Sequence, residues 1–276
     1  MVGDLRTERK DRILAVKSLP TLPTALEKVT KLVEDPNSST EQIAKLICRD
    51  QVLSAKVLKM VNSPIYGFPG RIGTIQHALV LLGFNVIRGI IISTSVFDIM
   101  TTNMVGLWEH SLGCAMASSA VAKAAGFKDP EEYAVAGLLH DIGKVLAAVQ
   151  LPDLKAEADE LVRTEDLTYL EAERRVFGFG HDRINMWLAE HWNLPLRLKE
   201  GLVLHHRLES EAHYPDMPRV VHVADFMTRL FEVGSGGDDQ VSHLDQTALE
   251  GLGLSLSSID NLLDSVAGDF EELAAF

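Results

Sequence analysis

Residues 131–150 read EEYAVAGLLHDIGKVLAAVQ, a stretch of helical character whose apolar run ends in His140-Asp141. On one continuous helix, Lys144 lies four residues past His140 and three past Asp141, which puts all three side chains on one face. An imidazole and a carboxylate side by side on a rigid element suit Fe, Mn, Zn or Co, since a hard and a borderline donor are paired. Two such residues alone more often form a hydrogen-bonded core contact. The rest of the chain decides between the two.

Outward from this stretch the pattern stays helical, and strand-like alternation is scarce. TALEKVTKLVE (24–34) places Leu26, Val29, Leu32 and Val33 on one face before Asp35-Pro36. Ser39 with Gln42 is a capping box that opens a helix to about Cys48, and a further helix fits Asp50 to Asn62. TIQHALVLLG closes at Gly83, after which Asn85 can cap the apolar helix VIRGIIISTSVFDIM. Residues 101–106 (TTNMVG) read as a hinge. Beyond it, LWEHSLGCAMASSAVAKAAG is a helix of small residues able to pack closely, followed by more helices to residue 233. GSGGDDQ (234–240) reads as a flexible loop, and 245–276 as two short acidic helices. The expected fold is all-α and two-lobed: an N-terminal helical bundle over 1–100 and a second helical lobe with C-terminal helices over 101–276.

Composition limits the function. With 46% hydrophobic and 24% charged residues, the 276-residue chain is an ordinary globular protein. A net charge of -13 argues against a nucleic-acid polymer as ligand, though a small phosphorylated nucleotide remains compatible if metals supply positive charge locally. Cys48 and Cys114 form no disulfide framework and read as buried thiols of a reducing compartment. The charged N-terminus is no signal peptide, and the apolar stretch Val86–Phe97 contains Arg88 and is too short to span a bilayer. A cytoplasmic protein without a membrane partner is expected.

Among the ten histidines, His110 lies on the small-residue helix, His181 follows a Gly-Phe-Gly turn, and His205-His206 end an apolar helix. Asp225 interrupts the apolar run VVHVADFM, where an ionised carboxylate is costly unless a cation or donor faces it. Accidental core histidines rarely coincide with two buried carboxylates. Of the others, His77 reads as a core residue, His191 as a helix C-terminal cap and His222 as an orienting group one turn before Asp225. His213 and His243 read as solvated. Glu109, Arg183 and Arg207 adjoin candidate ligands.

The order H…HD…H…HH…D resembles the HD-domain superfamily, and within it the HD-GYP branch of cyclic di-GMP phosphodiesterases. That resemblance implies one metal on His110, His140, Asp141 and Asp225, and a second on His181, His205 and His206, with Asp141 bridging. It also implies that Lys144 contacts substrate phosphate. A second likeness covers about residues 17–230. LPTLPTALEKVTKLVEDPNSSTEQIAKLICRDQVLSAKVLKMVNSPIYG, then IGTIQHALVLLGFNVIRGI, resembles the HDOD family of signalling-output proteins. Gln51 stands where that family usually has proline.

The two likenesses imply different roles. HDOD proteins are mostly regulatory, and many have lost the ligands that this chain keeps. The HD-GYP mark HHERxDGxGYP is replaced by HHRLESEAHYP, so only the paired histidines and Tyr214-Pro215 remain. The expectation is an HDOD-type signal-transduction protein from a bacterium, with two divalent transition metals and a signalling protein partner. Iron leads, with Mn, Zn, Ni or Co as alternatives. The alternative is a metal-dependent phosphohydrolase in which Asp141 and Lys144 are catalytic. A di-iron redox or oxygen-binding site is the third reading.

Overall fold

The structure, a computed structural model, describes residues 9, 11–13, 28–29, 31–32, 38–241 and 243–273. Every regular element among the described residues is an α-helix. The helix expected over 24–34 lies mostly outside them; residues 28, 29, 31 and 32 are helical. The chain divides into two compact units, one of residues 18–98 and one of residues 1–17 and 99–276.

In the first unit, α1 (Thr40–Ile47) starts at the expected capping box: Ser39 Oγ accepts from the Gln42 amide, and Gln42 Oε1 accepts from the Ser39 amide. Asp50 caps α2 (Gln51–Val61) by accepting from the Leu53 amide. The side-chain amide of Asn62 then clamps the loop, accepting from Ile72 N and donating to Ile72 O. Helix α3 (Ile75–Asn103) is broken only at Gly83, where φ 73° and ψ 174° require glycine. Two expectations change here. His77 is exposed, and so is Cys48. The stretch Val86–Phe97 also belongs to a longer helix: Ile75–Phe97 is long and apolar enough to cross a membrane by length and composition, with 67% of its apolar window buried.

The second unit carries α4 (Leu107–Ala124), α5 (Pro130–Leu139), α6 (Ile142–Gln150), α7 (Pro152–Glu165) and α8 (Tyr169–Phe177). It continues with α9 (His181–His191), α10 (Leu196–Leu204), α11 (Asp216–Leu230), α12 (Gln246–Leu252) and α13 (Leu256–Leu273). Pro130 and Pro152 begin their helices, where a missing N–H costs nothing. Helix α4 packs against α5, α11 and α13, and α9 packs against α6 and α10. Two glycines permit this closeness. A Cβ on Gly137 would stand 2.4 Å from Cys114 O, and one on Gly143 would stand 2.5 Å from His181 O.

The stretch 131–150 is two helices, not one. α5 ends at Leu139, His140 and Asp141 form the turn, and α6 begins at Ile142. His140, Asp141 and Lys144 therefore do not share one face of a continuous helix. Asp141 instead occupies the position before α6 with φ -102° and ψ 10°, and Lys144 reaches back to it from one turn inside.

Candidate metal centre

Five chain segments of the second unit converge. His110 comes from the first turn of α4, His140 and Asp141 from the α5–α6 turn, and His181 from the first position of α9. His205 and His206 follow α10, and Asp225 lies within α11. His206 is half-buried; the other six are at most 3% exposed. All seven sequence candidates are brought together. Glu109 is exposed.

The donor atoms form two adjoining groups, each with its atoms within 4.8 Å of one another. One contains His110, Cys114, His140 and Asp225; the other contains Asp141, His181, His205 and His206. Asp141 faces both. Its Oδ2 lies 3.2 Å from His140 Nε2 and 3.7 Å from His110 Nε2, while its Oδ1 lies 3.2 Å from His181 Nε2.

The histidine tautomers follow from their neighbours. Nδ1 of His140 meets Gly137 O at 2.7 Å, Nδ1 of His205 meets Leu202 O at 3.1 Å, and Nδ1 of His181 meets Glu173 Oε2 at 2.6 Å. An acceptor at Nδ1 assigns the proton there and leaves Nε2 as a lone pair aimed into the centre. Nε2 of His140, Nε2 of His205 and Oδ1 of Asp141 are buried and have no hydrogen-bond partner. An unsatisfied buried polar atom costs about 1–3 kcal/mol. These ring nitrogens and carboxylate oxygens face one another at contacts such as 3.2 Å from Asp141 to His140 and to His181, a spacing at which one cation can be shared, and the imidazole–carboxylate set suits divalent transition metals.

The charges are consistent with this. Burial pushes His205 and His206 well below the usual imidazole range, reinforced by their histidine neighbours, and burial also lowers His110. Burial opposes charge on His140 too, but Asp141 and Asp225 outweigh it and raise that ring. Burial would raise Asp141 and Asp225; the cations and histidines around them instead hold both well below the usual carboxylate range.

Several residues important here carried no clear sequence signal. Glu173 sits in the charged run YLEAERRVF, yet it is fully buried beneath His181. Asn185 donates to His140 O and to Leu202 O and accepts from Gly143 N, joining both histidine turns. Arg229 donates to Asp225 Oδ1 at 3.0 Å; its position four residues past Asp225 was a usable signal. Nδ1 of His222 meets the backbone carbonyl of His205 at 3.0 Å. His213, though its side chain is 79% exposed, lies 3.1 Å from Glu200. Arg207 pairs with Asp182 at 3.2 Å.

The loop 234–240 also departs from expectation. Gly236 O accepts from Lys144 Nζ at 2.7 Å, Asp238 accepts from Arg229 and from Tyr169 N, and Ser235 N donates to Gly106 O. The loop is bonded onto the centre at several points. Lys144, 1% exposed, is held between Asp141 Oδ2 and Gly236 O, both at 2.7 Å.

The chain matches the HDOD domain family over residues 19–208, more than half its length. It belongs to the HDOD family. An uncharacterised protein of Treponema pallidum is 24% identical over 223 residues, 79% of this chain but only 43% of the Treponema protein. The chain thus spans less than half of that curated relative. A solved HDOD domain protein of unknown function from Geobacter sulfurreducens superposes with a TM-score of 0.76 at 27% identity, covering 100% of this chain and 97% of the other. A candidate phosphohydrolase from Shewanella amazonensis shares the fold, with a TM-score of 0.69 at 24% identity over 95% of this chain and 96% of its own.

Proposed function

We propose that this HDOD protein is a cytoplasmic bacterial signal-transduction regulator whose second unit holds two divalent transition metals, with iron first and Mn, Zn, Ni or Co as alternatives, and which acts through a protein partner. The observation that carries the metal half is the set of buried, donor-less atoms on His140, His205 and Asp141. His110, His140 and Asp225 would hold one ion and His181, His205 and His206 the other, with Asp141 between them. The regulatory half rests on Lys144. A phosphate-binding lysine needs a free ammonium facing substrate, whereas this one is buried and already bonded to a carboxylate and a backbone carbonyl. Metal content of protein purified without chelator tests the first half. About two equivalents per chain are expected, and less than half an equivalent overturns it.

The second reading is a phosphohydrolase, favoured by Asp141 lying between the two donor groups. Paired ions in such a site supply a nucleophilic water at neutral pH and neutralise phosphoryl oxygens. Asp141 would then keep the two groups in register, and Lys144 would have to leave Gly236 O to meet a phosphate. Turnover of a cyclic dinucleotide or a generic phosphodiester, abolished in H140A and D141A, would establish this reading over the first.

A further inference from the structure

The first donor group contains a residue that neither the HD nor the HD-GYP ligand pattern includes. Cys114 lies one helical turn past His110 on α4, and its Sγ is 3.6 Å from His110 Nε2. It is fully buried, and its sulfur lies within 4.8 Å of the donor atoms of His140 and Asp225 as well. Beside it stands Nε2 of His140, fully buried and without a hydrogen bond of good geometry, so the space that Cys114 borders already contains an unsatisfied nitrogen.

The separations suit a shared ion. With about 2.0 Å to nitrogen and about 2.3 Å to sulfur, tetrahedral angles set a nitrogen–sulfur edge of roughly 3.5 Å and a nitrogen–oxygen edge of roughly 3.3 Å, and the narrower angles that come with Asp141 as a fifth donor shorten them to roughly 3.0 Å and roughly 2.8 Å. His110 Nε2 is 3.6 Å from Cys114 Sγ and 3.0 Å from Asp225 Oδ1. The helix sets this geometry, since positions 110 and 114 fall on one face. Thr228 and Val233 side chains crowd the adjacent Gly113, which fixes this part of α4 against α11.

We infer that Cys114 is a thiolate ligand of the first ion, which makes that position selective for a borderline ion such as Zn²⁺, Co²⁺ or Fe²⁺ over the hard ions Mn²⁺ and Mg²⁺. The inference rests on the two-metal reading above. On binding, the Cys114 S–H bond breaks, the sulfur keeps the electron pair and donates it to the ion, and the proton passes to solvent. No oxidant or reductant is involved.

Cobalt substitution tests this without any activity assay. Because Cys48 is exposed, C48S serves as the background. Metal-depleted C48S protein is titrated with Co²⁺ and its near-ultraviolet sulfur-to-cobalt charge-transfer band is recorded, and the same is done for C48S/C114S and C48S/C114A. The expected result is a saturable band in C48S, lost in both Cys114 variants. Those variants should also weaken Co²⁺ and Zn²⁺ binding by tenfold or more while changing Mn²⁺ binding less than threefold. Two bound Co²⁺ without a Cys114-dependent band would overturn the thiolate ligand and leave the two-metal reading standing. Failure to bind Co²⁺, Zn²⁺ or Mn²⁺ would overturn both. Circular dichroism of the metal-free variants distinguishes ligand loss from misfolding, and C114S retains the size of the side chain.

Discussion

One carboxylate oxygen of Glu173 receives two bonds from His181: the backbone N–H at 2.7 Å and the ring Nδ1 at 2.6 Å. The first bond caps the N-terminus of α9 across the turn, and the second orients the ring so that Nε2 faces Asp141. A single buried carboxylate thus fixes both the start of the helix and the tautomer of a candidate ligand.

The E173Q variant should therefore bind its second metal equivalent about 10–100-fold more weakly, the range for loss of a group that orients a ligand. Competition with a chromophoric chelator measures this. Unchanged affinity would show that packing alone holds the His181 ring.

Lys144 and Asp141 form a buried ion pair at 2.7 Å. Removing one partner of such a pair costs about 3–5 kcal/mol, because the other is left charged and desolvated. K144M should accordingly lower the urea midpoint of the metal-free protein strongly. Saturating metal should restore much of the loss by giving Asp141 a new cation. A variant as stable as the parent without metal would contradict the buried pairing.

Stability of the metal-free protein should fall as pH drops below about 6.5, the ordinary histidine pKa. His110, His205 and His206 have lowered pKa values, so the unfolded chain binds protons in this range that the folded chain refuses. Their contribution is full above the unfolded pKa and is lost as pH falls. His140 has the opposite sign, being raised, and offsets only part of this. The depressed Asp141 and Asp225 add a further loss below about pH 4. Urea denaturation at pH 7.5, 6 and 5, after metal removal, measures the slope; a flat or rising profile toward acid would be inconsistent with neutral buried rings.

The glycine inside HDIGK is a packing requirement. A Cβ at Gly143 would lie 2.5 Å from His181 O and 2.8 Å from Asn185 Oδ1, neither a flexible chain end. G143A should cost about 1–3 kcal/mol and reduce metal retention, because α6 and α9 must separate. Thermal denaturation together with metal analysis reads both effects.

The sequence by itself determined the helical character and most helix limits, and its resemblance to the HD superfamily supplied the seven candidate donors. Capping chemistry at Ser39–Gln42 and at Asp50, and turn residues such as Gly83, act through neighbours close in sequence, so they are legible without the fold. His110, His140, His205 and Asp225 stood out as polar residues on apolar stretches that need a partner, and the family resemblance gave them, with Asp141, His181 and His206, the role of ligands. The tertiary structure decided what those partners are. The break at His140-Asp141 could not be read, since LLHDIGK has good helical periodicity, while the turn is held by Asn185 from α9, 45 residues past His140. The partners of Glu173, Arg229 and Asp238 could not be read, because a side chain's charge says nothing about which opposite charge packs over it. The loop 234–240 looked flexible by composition, yet long-range bonds to Lys144, Tyr169 and Gly106 hold it on the centre. Local hydrogen bonding and periodicity are written in neighbouring residues; the burial of charge depends on contacts that only the folded chain makes.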